Sequence, residues 1–131
     1  MTQPLIMMII FIAFGIIGWI LDTLYRSATA GKYAPKTFVP YFSIVYAAGG
    51  ALLYGLHITT NLSTAQYVII GTLIATLMEF TAGVFCVEIL EERYWDYSKN
   101  KYNLYGHIDL KHTTYWIVLI TFLRILLEYL T

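Results

Sequence analysis

Charged side chains lie inside long apolar runs of this chain, and they are the first candidates for chemistry. They form three groups along the sequence: Asp22 with Arg26, Glu79 with Glu88, and Arg124 with Glu128. A charge within so apolar a run is costly and needs a partner or a purpose, such as a substrate path or an ion pair between helices. We therefore expect a polar core that either binds a ligand or holds helices together.

A second polar set lies in the segment RYWDYSKNKYNLYGHIDL, residues 93–110. His107 with Asp109 fits a general base and its orienting carboxylate, or two polar loop residues that face water. The chain has neither the HExxH spacing of zinc proteases nor the GxSxG context of a serine nucleophile. We predict no catalytic residue, metal site or cofactor, and we favour a protein that is not an enzyme.

The elements that must position these residues are membrane helices. The 131 residues are 59% hydrophobic and 12% charged, whereas soluble domains carry about 25% charged residues. Spanning a bilayer takes roughly 20 helical residues, and the apolar runs do not alternate as barrel strands would. We predict one all-α transmembrane domain over residues 1–131, with spans at about 5–24, 39–56, 65–90 and 114–130. The second span is the least regular, because it contains Pro40 and the pair Gly49-Gly50.

Lysine and arginine in short loops indicate the orientation of such a protein. Arg26, Lys32 and Lys36 follow the first span, four more basic residues lie between the third and fourth spans, and the remaining arginine is inside the last span. We predict a multi-pass protein of the cell membrane, with both termini outside and an ordered cytoplasmic loop between spans three and four.

Glu79 lies on a ridge of small residues, with Gly71, Ala75 and Gly83 at steps of four. Such ridges let helix backbones approach closely, so the carboxylate should face another helix instead of lipid. Counting residues puts Glu79 and Arg124 at matching depths, about 15 Å from the cytoplasmic side. We predict a contact between them that Glu128 can join; it is either a helix clamp or a transport or ligand site.

The loop before the last span carries residue types that fix turns and anchor at membrane interfaces. Its candidate motif comprises Trp95, Asp96, Tyr97, Asn103, Gly106 and His107. We predict that the loop folds back onto the helices, with Asp96 near the end of the first span and Arg26 as a plausible partner. Arg26 is also placed to pair with Asp22, four residues earlier.

These residues resemble a known family, the small CmpB-like membrane proteins described as type IV ABC-transporter permeases. The matching positions in and after the third span are Glu79, Phe80, Gly83, Glu88, Trp95, Asp96, Tyr97, Ser98, Asn103, Gly106 and Ile108. The end of the first span is also similar, at Gly18, Trp19, Asp22, Tyr25 and Arg26. The chain departs from the family pattern at Asp22, where the family favours Glu, and at His107, where it favours Arg.

The resemblance implies a permease-like component of a transporter. No GxxxxGK[ST] motif is present, so ATP use would need a separate ATPase subunit. Four helices are few for a solitary pathway, so we expect a homo-oligomer, most simply a dimer, within the lipid bilayer. The net charge of zero gives no nucleic-acid footprint. The alternatives are a structural or regulatory membrane subunit and a small membrane enzyme acting on a lipophilic substrate.

Overall fold

The computed structural model describes residues 2–130, which form four helices and one short hairpin. In chain order the elements are α1 (Gln3–Ala30), α2 (Ile44–Thr59), α3 (Thr64–Glu88), β1 (Asn103–Leu104), β2 (Ile108–Asp109) and α4 (Leu110–Leu130). The two strands pair antiparallel, with Asn103 opposite Asp109 and Leu104 opposite Ile108. The predicted all-helical class is confirmed, and the hairpin is an addition to it.

The helices α1, α3 and α4 are long and apolar enough to cross a membrane. Helix α2 has 16 residues, fewer than the roughly 20 that span a bilayer core. It begins at Ile44 instead of the predicted residue 39, because Pro40 has no backbone N–H to donate and Tyr41 has a φ of 60°. The glycine pair 49–50 lies inside the regular helix.

Side-chain caps set the starts of two helices. Thr2 accepts a hydrogen bond from the backbone N–H of Leu5 and begins α1. Ser63 and Gln66 exchange hydrogen bonds with each other's backbone at the start of α3, which is a complete capping box. Ser63 is therefore the N-cap of α3. Helix α3 ends at Glu88, two residues before the predicted end of the third span.

The chain divides into two compact units, Met1–Tyr54 and Gly55–Thr131, here called unit 1 and unit 2. In unit 1, α1 presents glycines to aromatic side chains that follow it in sequence. A β-carbon on Gly15 would overlap the Phe42 ring, and one on Gly18 would overlap Tyr46. The backbone N–H of Ser43 donates to the carbonyl oxygen of Gly15 at 2.9 Å. The glycines of α1 therefore allow close backbone approach, as small residues do between membrane helices.

In unit 2, α3 packs against α4 and against β2. All four members of the predicted small ridge are buried: Gly71, Ala75, Glu79 and Gly83. The side of α4 that packs in the core is lined by Trp116, Ile120, Leu123 and Leu127. On the same helices Leu77 and Phe122 are about two-thirds exposed, at 66% and 67%. Large apolar side chains left outside a packed core suit a lipid environment.

Candidate functional site

The segment Arg93–Asp109 between α3 and α4, here called the motif loop, is held by its own side chains. The amide nitrogen of Asn103 donates to the carbonyl oxygens of Ser98 and Asn100, at 3.2 and 2.9 Å. Its amide oxygen accepts from the backbone N–H of Gly106 at 3.0 Å. One asparagine thus satisfies three backbone groups, which is how this residue type stabilises turns.

Gly106 and Asp96 meet at the centre of the motif loop. Gly106 has a φ of +73°, and a β-carbon there would lie 2.6 Å from Oδ1 of Asp96 and 2.8 Å from a guanidinium nitrogen of Arg93. The same Asp96 oxygen accepts from the backbone N–H of Ser98 at 2.9 Å. Hydrogen bonds from Ser98 lower the pKa of Asp96 below its usual range, and the nearby Arg93 acts in the same direction. Glycine is required here for its conformation and for space.

Trp95 and His107 attach the motif loop to α3. The Trp95 indole N–H donates to the carbonyl oxygen of His107 at 2.8 Å. The His107 ring meets the Phe80 ring edge to face, with 5.5 Å between centroids. A β-carbon on Gly83 would lie 2.6 Å from Nδ1 of His107, so the imidazole fills the notch that this glycine leaves. Burial lowers the pKa of His107, since desolvation disfavours the imidazolium.

A buried acid and imidazole join the motif loop to α4. Asp109 Oδ1 lies 2.7 Å from Nδ1 of His112 and also accepts from the His112 backbone N–H at 2.7 Å. Its second oxygen accepts from the Asn100 amide at 2.6 Å. The Tyr97 ring stacks on His112 at 3.8 Å between centroids and 7° between planes. Asp109 therefore caps the start of α4 as an aspartate N-cap does.

The predicted partnership of His107 with Asp109 is wrong. The carboxylate of Asp109 binds His112 instead, and His107 packs against α3. The reading of both as polar residues facing water is also wrong, because they are 6% and 3% exposed. The sequence did contain a signal for the role of Asp109 as an N-cap, since aspartate is a preferred residue directly before an apolar helical run.

Arg124 is the centre of a second polar cluster in unit 2. Its Nε donates to Glu128 at 2.8 Å, a second nitrogen lies 3.1 Å from Nδ1 of His57, and the third donates to the carbonyl oxygen of Leu62. The guanidinium also lies over the Tyr67 ring, 4.8 Å from its centroid. This set, here called the Arg124 cluster, ties the turn between α2 and α3 to α4.

The predicted contact between Glu79 and Arg124 is not formed. Arg124 lies against Tyr67, and Glu79 is twelve residues further along α3, which is about 18 Å of helix. The depth count failed because α4 begins at Leu110 and not at residue 114, so Arg124 lies farther from the start of its helix than expected. Glu128 does form the ion pair with Arg124 in which it was expected to join. Glu79 is buried on the ridge, at 3% exposure.

The remaining predicted site residues lie apart from these two clusters. Arg26 donates to the carbonyl oxygen of Lys36 at 3.0 Å within unit 1. Asp22 is half-buried one turn earlier on α1, and Glu88 is exposed at the end of α3. Asp96 has its own partners inside the motif loop, and its pairing with Arg26 stays a prediction. Among residues 2–130 there is no group of three or more histidine, cysteine or acidic side chains that could hold a metal ion.

The six predicted motif-loop residues share one structural role. Trp95, Asp96, Tyr97, Asn103, Gly106 and His107 each make a contact that shapes the loop or attaches it to a helix. Tyr97 is 2% exposed and packs inside, where an interfacial tyrosine would have been exposed. Asp109 belongs to this set with partners other than the predicted one, Asn100 and His112.

Comparison with known protein families gives a match that extends over most of the chain. No curated protein and no solved structure matches it. The family model described as "Putative ABC-transporter type IV" matches residues 9–131, a range that includes most of the first helix, the motif loop and the Arg124 cluster. The chain therefore belongs to this CmpB family of ABC-transporter-related membrane proteins.

Proposed function

We propose that the chain is the membrane-spanning component of an ABC-type transporter and that its motif loop receives the motion of a separate ATPase subunit. The observation that carries this proposal is the bracing of the loop between two helices. His107 packs into the notch at Gly83 on α3, and Asp109 caps α4. A displacement of the loop would therefore move the ends of both helices together, which is what coupling to an ATPase requires.

The proposal includes four spans, of which α2 is the shortest, and both termini outside. The basic residues of the loops support this orientation. Cysteine labelling tests it in a Cys86→Ala background. Asn61→Cys should react with a membrane-impermeant maleimide in intact cells, whereas Lys99→Cys should react only after permeabilisation. The reverse pattern would place the motif loop outside and remove the basis for contact with an ATPase.

Affinity purification tests the ATPase itself. The tagged chain, extracted in mild detergent, should co-purify with a protein that carries GxxxxGK[ST], and the chain should cross-link to a second copy of itself. Lys99 is exposed on the motif loop, so Lys99→Glu should weaken the ATPase association without unfolding the chain. Asn61→Glu, at an exposed position in the other turn, is the matched control and should leave the association intact. Recovery of the folded chain with no ATPase under these conditions would refute the proposal.

The Arg124 cluster favours a second candidate function, that of a structural or regulatory membrane subunit. All three guanidinium nitrogens have partners, so this arginine is used within unit 2. Arg124→Lys separates the two candidates. If this variant folds normally and keeps its transport activity but no longer assembles with its partner, the structural candidate is favoured over the transport one.

A further inference from the structure

We propose that the groove between the hairpin and the first turn of α4 binds the headgroup of an anionic phospholipid. The groove has a volume of about 430 Å³, and its walls include Tyr102, Leu104, Ile108, Leu110 and Thr113. The inference requires that the chain crosses a membrane, and it does not rest on transport or on an ATPase.

The position of the groove fits a headgroup. Leu110 and Thr113 belong to the first turn of α4, a helix long and apolar enough to cross a membrane. The end of such a helix lies where the hydrocarbon core meets the headgroup layer. A groove at this level opens beside lipid phosphates and glycerol backbones.

The charges around the groove favour an anion. Lys101 precedes the lining residue Tyr102, with its Nζ 5.3 Å from the ring centroid, and Lys111 follows the lining residue Leu110. Both lysines are exposed. The lining contains one acid, Asp109, whose side chain has no exposed surface. Its two oxygens accept hydrogen bonds from within the fold, so the carboxylate is engaged there, and the two exposed lysines flank the lining residues in sequence.

The walls of the groove favour a lipid over a soluble anion. Tyr102 is 69% exposed, Leu110 58% and Leu104 48%. Tyrosine is the residue type found at headgroup level, and exposed leucines beside it match the upper part of an acyl chain. A site for a water-soluble phosphate compound would gain nothing from these apolar side chains.

Native mass spectrometry tests the proposal on the full chain in detergent. The protein is titrated with an equimolar mixture of dioleoyl-phosphatidylglycerol and dioleoyl-phosphatidylcholine, and the retained lipids are counted. We expect preferential retention of phosphatidylglycerol. Each lysine near an anionic lipid strengthens binding by about fivefold, so the double variant Lys101→Gln, Lys111→Gln should lower the preference by about tenfold or more. Higher salt should weaken it in the wild-type protein.

The matched control is the double variant Lys32→Gln, Lys36→Gln, which removes the same charge from exposed positions in unit 1 and should keep the preference. Leu104→Ser should reduce retention of both lipids without changing their ratio greatly. Equal retention of the two lipids by the wild-type protein would overturn the proposal. A preference for phosphatidylglycerol that survives in the Lys101, Lys111 double variant would also overturn it. So would loss of the preference when soluble glycerol 1-phosphate is added as a competitor.

Discussion

Replacement of Arg124 by leucine tests the reasoning about the Arg124 cluster most directly. The variant removes the donors to the Leu62 carbonyl oxygen, to Nδ1 of His57 and to Glu128. Leucine fits the volume of the arginine stem and suits an apolar helix, so the loss is confined to the polar contacts and the contact with the Tyr67 ring. The fold should remain intact with a weaker attachment of the turn between α2 and α3.

The magnitude follows from the burial of each partner. A hydrogen bond from a charged donor contributes about 1.5–3 kcal/mol, and Leu62 and His57 are both half-buried. The bond to Glu128 counts for less than about 1 kcal/mol, since that side chain is 49% exposed. Removing the desolvation cost of a buried guanidinium offsets part of the loss. We expect a net decrease of about 3 kcal/mol in the free energy of unfolding.

The assay is reversible unfolding in mixed micelles with a rising fraction of sodium dodecyl sulfate, followed by tryptophan fluorescence. Glu128→Gln is the matched control, and we expect a loss below about 1 kcal/mol. Amide exchange provides a local readout: residues 60–63 should exchange faster in Arg124→Leu, while residues 93–109 should not change. If Arg124→Leu loses less than about 1 kcal/mol, or if Glu128→Gln loses as much as the arginine variant, the cluster does not hold the turn.

Three further predictions concern the motif loop. Gly83→Ala should lower the free energy of unfolding by about 1–3 kcal/mol, because the new methyl group meets the His107 ring. The control is Gly55→Ala, since Gly55 has open space around it. That variant should be neutral or stabilising by up to about 1 kcal/mol. Asp109→Asn should lower the free energy of unfolding by about 1–3 kcal/mol in the same assay. The reason is that an amide cannot accept at both oxygen positions and would turn a donor toward Asn100 or His112. An unchanged free energy of unfolding would contradict the role of Asp109 as a cap. Burial lowers the pKa of His107 below its unfolded value of about 6.5. The stability that the neutral imidazole contributes is fully present above that pH and is lost as the pH falls through the lower folded pKa. The free energy of unfolding measured between pH 7.5 and 5 should show the decline, and His107→Gln should make the decline smaller.

Much of the helical framework was predictable from local signals. Three features each depend on a few neighbouring residues, and the structure contains all of them. They are the apolar runs, the capping serine before α3 and the small-residue ridge around Glu79. Helix ends were less predictable, since they depend on single residues. Pro40 with the positive φ of Tyr41 delays α2, and Asp109 starts α4 earlier than the apolar pattern does.

Pairings between distant residues were predicted least well. Matching Glu79 with Arg124 assumed that both spans begin at equal depth, and an error of four residues in the start of α4 moves a side chain by about 6 Å. His107 and Asp109 are two residues apart in sequence, yet they belong to different contacts because the hairpin turns one toward α3 and the other toward α4. Such choices depend on backbone geometry that spacing alone does not contain.

The Arg124 cluster also has a consequence for the order in which the protein matures. The turn at Leu62 and Tyr67 in the first turn of α3 are synthesised well before α4, and the arginine that contacts both is added only with that helix. Until α4 has inserted, the Leu62 carbonyl oxygen and His57 lack this donor. The order of synthesis therefore leaves this polar turn incomplete until the last helix is in place.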